Sequence, residues 1–220
     1  VHYEKVLLYA PGYIINTFRF CILAIIMCIL IGVPISWIMA RTQMRTRGAL
    51  DILTMLVLAL PGTALGIAYI RAFNTPILFT TPLANSWIIL PIVLAVRRLP
   101  YTVRSSYSSL LVVHHSMEEA AESVGAGGLK TFKDITLPLI WKGVLAGALF
   151  SFMTSIQESA ATLLLSIPGW ETMTMGIFTF YQGGTHGDAA ALGFILIVVG
   201  VITLYAVNKL SSVAKGGLFG

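Results

Sequence analysis

The sequence predicts an all-α membrane protein: a bundle of five transmembrane helices with one helical loop on its cytoplasmic side. Three observations lead there. Of 220 residues, 57% are hydrophobic and only 10% are charged, against about 25% charged in a soluble domain. So few charges cannot cover a globular surface, so the solvent must be largely lipid. The apolar residues gather into five runs of roughly the length needed to cross a ~30 Å hydrocarbon core. Finally, Lys and Arg cluster at the ends of these runs, the pattern of cytoplasmic loops. The net charge of +5 therefore reads as membrane topology. No stacking aromatics are interleaved with the basic residues, which argues against nucleic acid as a partner.

Residues 1–13 form an amphipathic lead-in or linker, broken at Pro11-Gly12. The first span is expected over 14–40, with Asn16 in its first turns, Arg19 reaching the headgroups and Pro34 bending its far end. Arg41, Arg45 and Arg47 then mark the cytoplasm. The second span, 50–73, is interrupted at Leu60-Pro61-Gly62, where a missing backbone donor must kink or unwind the helix. An uncharged loop, 74–86, leads to a third span over 87–103 that is short of apolar residues before Arg97-Arg98. The helix is expected to continue amphipathically through Ser105–Val113. The fourth span is placed at 139–166 and the fifth at 189–207, with a cytoplasmic tail at 212–220. Between them an outer loop carries an interfacial or re-entrant helix around Met173–Tyr181. With the Arg41 loop inside, the N-terminus falls outside, which suggests one more span upstream. Cys21 and Cys28, seven apart on one apolar helix, are too distant for a disulfide and read as small hydrophobes.

The longest polar interval, residues 116–138 (SMEEAAESVGAGGLKTFKDITLP), organises the rest. Ser116 with Glu119 three residues on is a capping-box pattern and predicts a helix start. Met117–Val124, with Glu118 and Glu119, reads as a short helix, and Gly125 as its left-handed stop. A second helix follows from Gly128 to about Ile135, closed by Leu137-Pro138 because the residue before proline leaves the α region.

The same residues carry a family pattern. Glu119-Ala120-Ala121, then Gly125 after three residues, Ile135 after nine more, and Leu137-Pro138 resemble the EAA loop of ABC-importer permeases in every position and both spacings. The resemblance covers nearly the whole chain and implies the five-helix core of a type I ABC importer. In that family the first loop helix is the coupling helix that docks on the ATPase. Ser116, Glu118, Glu119, Ala120, Ala121, Gly125, Ile135, Leu137 and Pro138 are thereby the expected ATPase-coupling residues. The implied partners are a dimer of ABC ATPase subunits, a periplasmic or extracellular solute-binding protein, a second permease half (fused or homodimeric) and the bilayer of the bacterial inner membrane. ATP and Mg would be used by the partner, with no cofactor bound by this chain. The outward N-terminus favours one half of a fused permease. The stretches Val96–Leu110 and Ser151–Leu165 are most similar to ferric-iron-type permeases; relatives moving aminoethylphosphonate, thiamine, molybdate or polyamines have similar stretches.

Several intramembrane residues are candidates for the translocation path. Pro61 and Gly62 either line it or form a packing kink. Gln157 and Glu158 lie within an apolar run, where an ionisable group is a functional hypothesis by default; substrate contact and a structural bond to another helix both stay open. Arg97 and Arg98 read either as topology markers or as a cytoplasmic gate and contact for a phosphate-like solute. No phosphate-binding loop, metal-ligand spacing or nucleophile motif is present, so neither catalytic nor metal-ligating residues are assigned and the chain is not expected to be an enzyme. A proton-coupled secondary transporter using Glu158 is the alternative of a different class.

Overall fold

The computed structural model describes residues 2–42, 44–45, 47–74 and 82–216, and every regular element in them is helical. The order is α1 (His2–Tyr9), α2 (Pro11–Arg41), α3 (Arg47–Ala59), α4 (Gly62–Phe73), a 3₁₀ turn (Leu83–Asn85), α5 (Ile89–Val112), α6 (His115–Ser123) and α7 (Gly128–Thr131). A π-helical turn (Phe132–Thr136) joins α7 to α8 (Leu137–Ile156); α9 (Ala160–Leu165), α10 (Met173–Gln182) and α11 (His186–Gly216) follow. Most of the outer loop expected at 74–86 and the last four tail residues lie outside the described residues.

Three described helices are long and apolar enough to cross a membrane: α2, the continuous Gly128–Ile156 helix, and α11. The pair α3–α4, bent by 108°, makes a fourth if it counts as one span. The third expected span falls on α5, which is 24 residues long and carries Arg97, Arg98 and Arg104, and is not among the helices that meet the length and apolarity of a crossing. It runs through the amphipathic Ser105–Val112 stretch.

The core lies where α2, α5, α8, α10 and α11 meet. Phe20, Ile89, Leu90, Leu94, Ile156, Met173 and Leu192 are sealed there, together with the free thiols Cys21 and Cys28. Apolar packing alone does not hold helices together in lipid, where tails are as apolar as Leu, so small residues and polar bonds carry much of the contact. Ser36 Oγ donates to the Val103 carbonyl at 2.9 Å, Ser105 Oγ to the Gly143 carbonyl at 2.7 Å, and Ser151 Oγ to the Arg98 carbonyl at 3.0 Å. Helices α5 and α8 approach closely at Gly147, where an added Cβ would lie 2.6 Å from Ser105 Cβ and 3.1 Å from Thr102 Cα.

Four local expectations are corrected. The lead-in takes the surface-helix form, with Val6 buried and Lys5 and His2 reaching Asp188 at 2.6 and 2.7 Å, but its break lies elsewhere. The chain breaks at Ala10 because Pro11 opens α2. Arg19 does not extend to headgroups alone; its guanidinium lies 4.9 and 5.2 Å over the stacked rings of Trp87 and Trp170, a cation–π arrangement. Leu137-Pro138 does not end the second loop helix. Proline clashes with the carbonyl four residues back, here Asp134, and that carbonyl sits in the widened π turn, which lets the helix continue. The apolar run 139–166 is not one helix: α8 stops at Ile156, and α9 starts only at Ala160.

Gly147→Leu should force α5 and α8 apart. Overpacking of this kind costs about 1–3 kcal/mol, and a lowered thermal unfolding midpoint of the purified protein in detergent would register it.

Candidate functional site

Two interrupted helices meet beside α5. The first interruption, between α3 and α4, turns at Leu60, with Pro61 extended (ψ 137°) as the residue before α4. The second spans Gln157–Ser159, between α8 and α9. Gly62 at the start of α4 is buried because the Arg97 guanidinium lies directly against it; a Cβ there would also come within 2.8 Å of Ala160 Cβ. Gly66, one turn on, abuts Leu164 of α9. Glycine at both positions is what lets α4 close on α5 and α9.

Glu158 sits at the centre and is 6% exposed. Its Oε2 accepts a 2.6 Å hydrogen bond from Arg98, and its Oε1 lies 3.3 Å from Arg97 Nη1 and accepts from the Ala161 amide at 3.2 Å. The backbone carbonyl of Glu158 is also used, by the hydroxyls of Thr162 (2.7 Å) and Thr174 (3.0 Å). The groups freed by the helix break are thus taken up within the protein, as non-helical backbone at membrane depth requires. The carboxylate faces two guanidinium groups and so joins α5 to the start of α9, the bond between helices that was one of its two readings. The cations are in excess: Arg97 Nη1 and Arg98 Nε are buried without a directed hydrogen bond. Pro61, Gly62, Arg97, Arg98 and Glu158 therefore converge. Gln157 does not join them; it is exposed and its amide nitrogen turns to Gly200 of α11. No group of three or more His, Cys, Asp or Glu side chains converges among the described residues.

The second constellation is the 116–138 loop. Its capping box does not form. The helix begins one residue before Ser116, so His114 occupies the cap position and Ser116 Oγ bonds to His114 Nδ1 at 2.9 Å. Glu119 instead faces His115, 3.4 Å away on the surface. The other end is as expected. Gly125 has φ +87°, the Ala126 amide donates to the Ala121 carbonyl and the Gly125 amide to that of Glu122, a Schellman closure.

Glu118 is the loop's anchor. It is buried, lies 2.9 Å from Arg41 Nε as an ion pair, and accepts from Thr136 Oγ1 at 2.7 Å. Arg41 also donates to the Val113 carbonyl at 2.8 Å. Sequence reasoning placed Glu118 in the loop but missed Arg41 as its partner, reading it only as a topology marker. The available signal was spacing: Glu118 and Ala121, three apart, share one helix face, and both are buried. Leu137 packs against the Val33–Leu110–Ile140–Val144 cluster, Ile135 is half-buried and Pro138 exposed. Ser116, Glu119, Ala120 and Gly125 are exposed, as are Val124 and Leu129, each at 85%.

Glu158→Gln would leave two guanidinium groups facing a neutral amide. Breaking a buried pair from one side costs about 3–5 kcal/mol, so this variant should melt well below the wild type in detergent, and Glu158→Asp should lie between them.

Residues 32–212 match the family described as the binding-protein-dependent transport system inner membrane component. The chain is 32% identical over 186 residues to the ferric transport system permease protein FbpB of Actinobacillus pleuropneumoniae, covering 84% of this chain but only 27% of that relative. It is 31% identical over 207 residues to the molybdenum transport system permease protein ModB of Escherichia coli, covering 88% of this chain and 90% of that one. In the crystal structure of a bacterial alginate ABC transporter, in complex with an alginate pentasaccharide-bound periplasmic protein, one chain superposes with a TM-score of 0.70. The match covers 97% of this chain and 83% of that chain at 17% identity, which makes the fold a shared one. Several apolar helices and this family match make the protein a multi-pass membrane protein, and the chain belongs to the binding-protein-dependent transport system inner membrane component family.

Proposed function

We propose that this chain is a permease subunit of an ATP-binding-cassette importer, moving solute by alternating access while a separate ATPase dimer hydrolyses MgATP. The observation that carries the reading is the 116–138 loop. A short helix with an exposed outer face, Glu119 and Ala120 on it, ends at left-handed Gly125. Its inner face is pinned through Glu118 to the end of α2 and the start of α8. Such a helix can take up a push from a partner and deliver it to two long helices. In this reading Ser116, Glu119, Ala120, Ala121, Gly125, Ile135, Leu137 and Pro138 shape the coupling surface, and Glu118 joins it to the bundle.

The remaining partners in this reading are a solute-binding protein and a second permease half, on the same polypeptide or another. Ferric iron is the proposed solute, supported by the similarity to the ferric permease; molybdate is the next candidate, supported by the similarity to the molybdenum permease. This reading sets the proton-coupled alternative aside, on the ground that Glu158 faces two arginines.

The test is ATP hydrolysis and solute uptake by the permease reconstituted with its ATPase, with binding proteins loaded with ferric iron or molybdate. The wild type should respond to one loaded protein and not the other. Gly125→Val should remain in the membrane yet lose the response. Its Cβ would meet nothing within 4 Å, so the penalty is confined to a left-handed backbone that costs a β-branched residue about 1–2 kcal/mol. Full uptake by this variant would refute the coupling role.

A further inference from the structure

We propose that the solute passes the α4–α5–α9 junction as an anion, recognised by Arg97 and Arg98; iron, if it is the solute, passes as an anionic chelate. The inference deepens the importer reading and rests on it for the word "passes". Three observations carry it.

The first is the charge count. Two guanidinium groups face one carboxylate. The other acidic side chains with ion pairs among the described residues are committed elsewhere: Asp51 to Arg104, Glu118 to Arg41, Glu119 to His115, Asp188 to His2 and Lys5. One positive charge is left over in a poorly hydrated place.

The second is unfilled bonding capacity. Arg98 Nε is buried without a hydrogen-bond partner, and Arg97 Nη1 has its 3.3 Å ion-pair contact with Glu158 but no directed hydrogen bond. A guanidinium has five donors in a planar fork suited to carboxylate, phosphate and tetrahedral oxyanions.

The third is the direction of α4. Its first turn, at Gly62, is the positive end of a 12-residue helix and would ordinarily attract an anion. The group against Gly62 is instead the Arg97 guanidinium. A cation at that helix end is unfavourable alone and becomes favourable when an anion sits between or beside them. A bare metal cation would meet repulsion from both arginines, and Glu158 has no free oxygen to offer it.

The test uses Arg97→Gln and Arg97→Lys. Glu158 keeps Arg98 at 2.6 Å in both, so both variants should fold. Purified protein is titrated with molybdate and with ferric citrate at constant ionic strength, chloride serving as the reference, and its unfolding midpoint is followed. An anion-dependent rise is expected in wild type and Arg97→Lys and should vanish in Arg97→Gln. In the reconstituted importer, Arg97→Gln should lower uptake by at least about tenfold, the worth of one charge-assisted hydrogen bond, without changing solute affinity of the binding protein. Equal uptake by Arg97→Gln and wild type, or no anion-specific stabilisation of the wild type, overturns the proposal. A wild type that no loaded binding protein stimulates refutes the importer reading instead, and the titration then decides the anion site alone.

Discussion

A carboxylate almost sealed from water inside an apolar bundle sets the terms for everything around it. Burying a carboxylate there is costly unless cations and donors replace its lost hydration. Arg97, Arg98 and the Ala161 amide do so, and each draws a different element to the same point. Arg97 and Arg98 bring α5, Ala161 brings the start of α9, and Gly62 lets α4 come close enough to touch Arg97. The helix break at Gln157–Ser159 is tolerated for the same reason. Its Glu158 carbonyl accepts from the Thr162 and Thr174 hydroxyls.

Glu118 repeats the solution at the other end of the bundle. It too is a buried carboxylate held by an arginine and a hydroxyl. The two clamps share their supporting elements. Helix α8 runs from the π turn that contains Thr136 to the break just before Glu158. Helix α5 runs from Arg97 within it to its end at Val112, and the carbonyl of the next residue, Val113, takes a bond from Arg41. Twenty residues of helix span about 30 Å, so two stiff rods connect the loop to the charge cluster. Close packing at Gly147 and the Ser105 and Ser151 bonds hold these rods against each other.

The remaining surface follows from the solvent. Ile22, Ile26 and Leu30 on α2, Ile52, Leu53 and Leu56 on α3, and Ile197, Val201 and Tyr205 on α11 are all exposed. In water such faces would drive aggregation; in a membrane they are the ordinary exterior. Polar bonds are correspondingly concentrated between helices.

By itself the sequence determined the class of the protein, because composition and charge placement leave lipid as the only adequate solvent, and the 119–138 spacing carried the family. It also determined local features whose cause is local: the left-handed stop at Gly125, the interruption at Pro61, the helix at Met173–Gln182. What only the tertiary structure decided were the partners of buried charges. Glu118 and Arg41 are 77 positions apart and Glu158 is 60 from Arg98, and no periodicity within a segment relates residues across such distances. The same limit explains the local errors. Ser116 cannot cap a helix that begins before it. Pro138 is harmless where a π turn has moved the carbonyl it would strike, and Arg19 has indoles in reach that lie more than 60 residues away in sequence. A chain reports its own backbone preferences locally; which charge ends up opposite which is settled only when the helices pack.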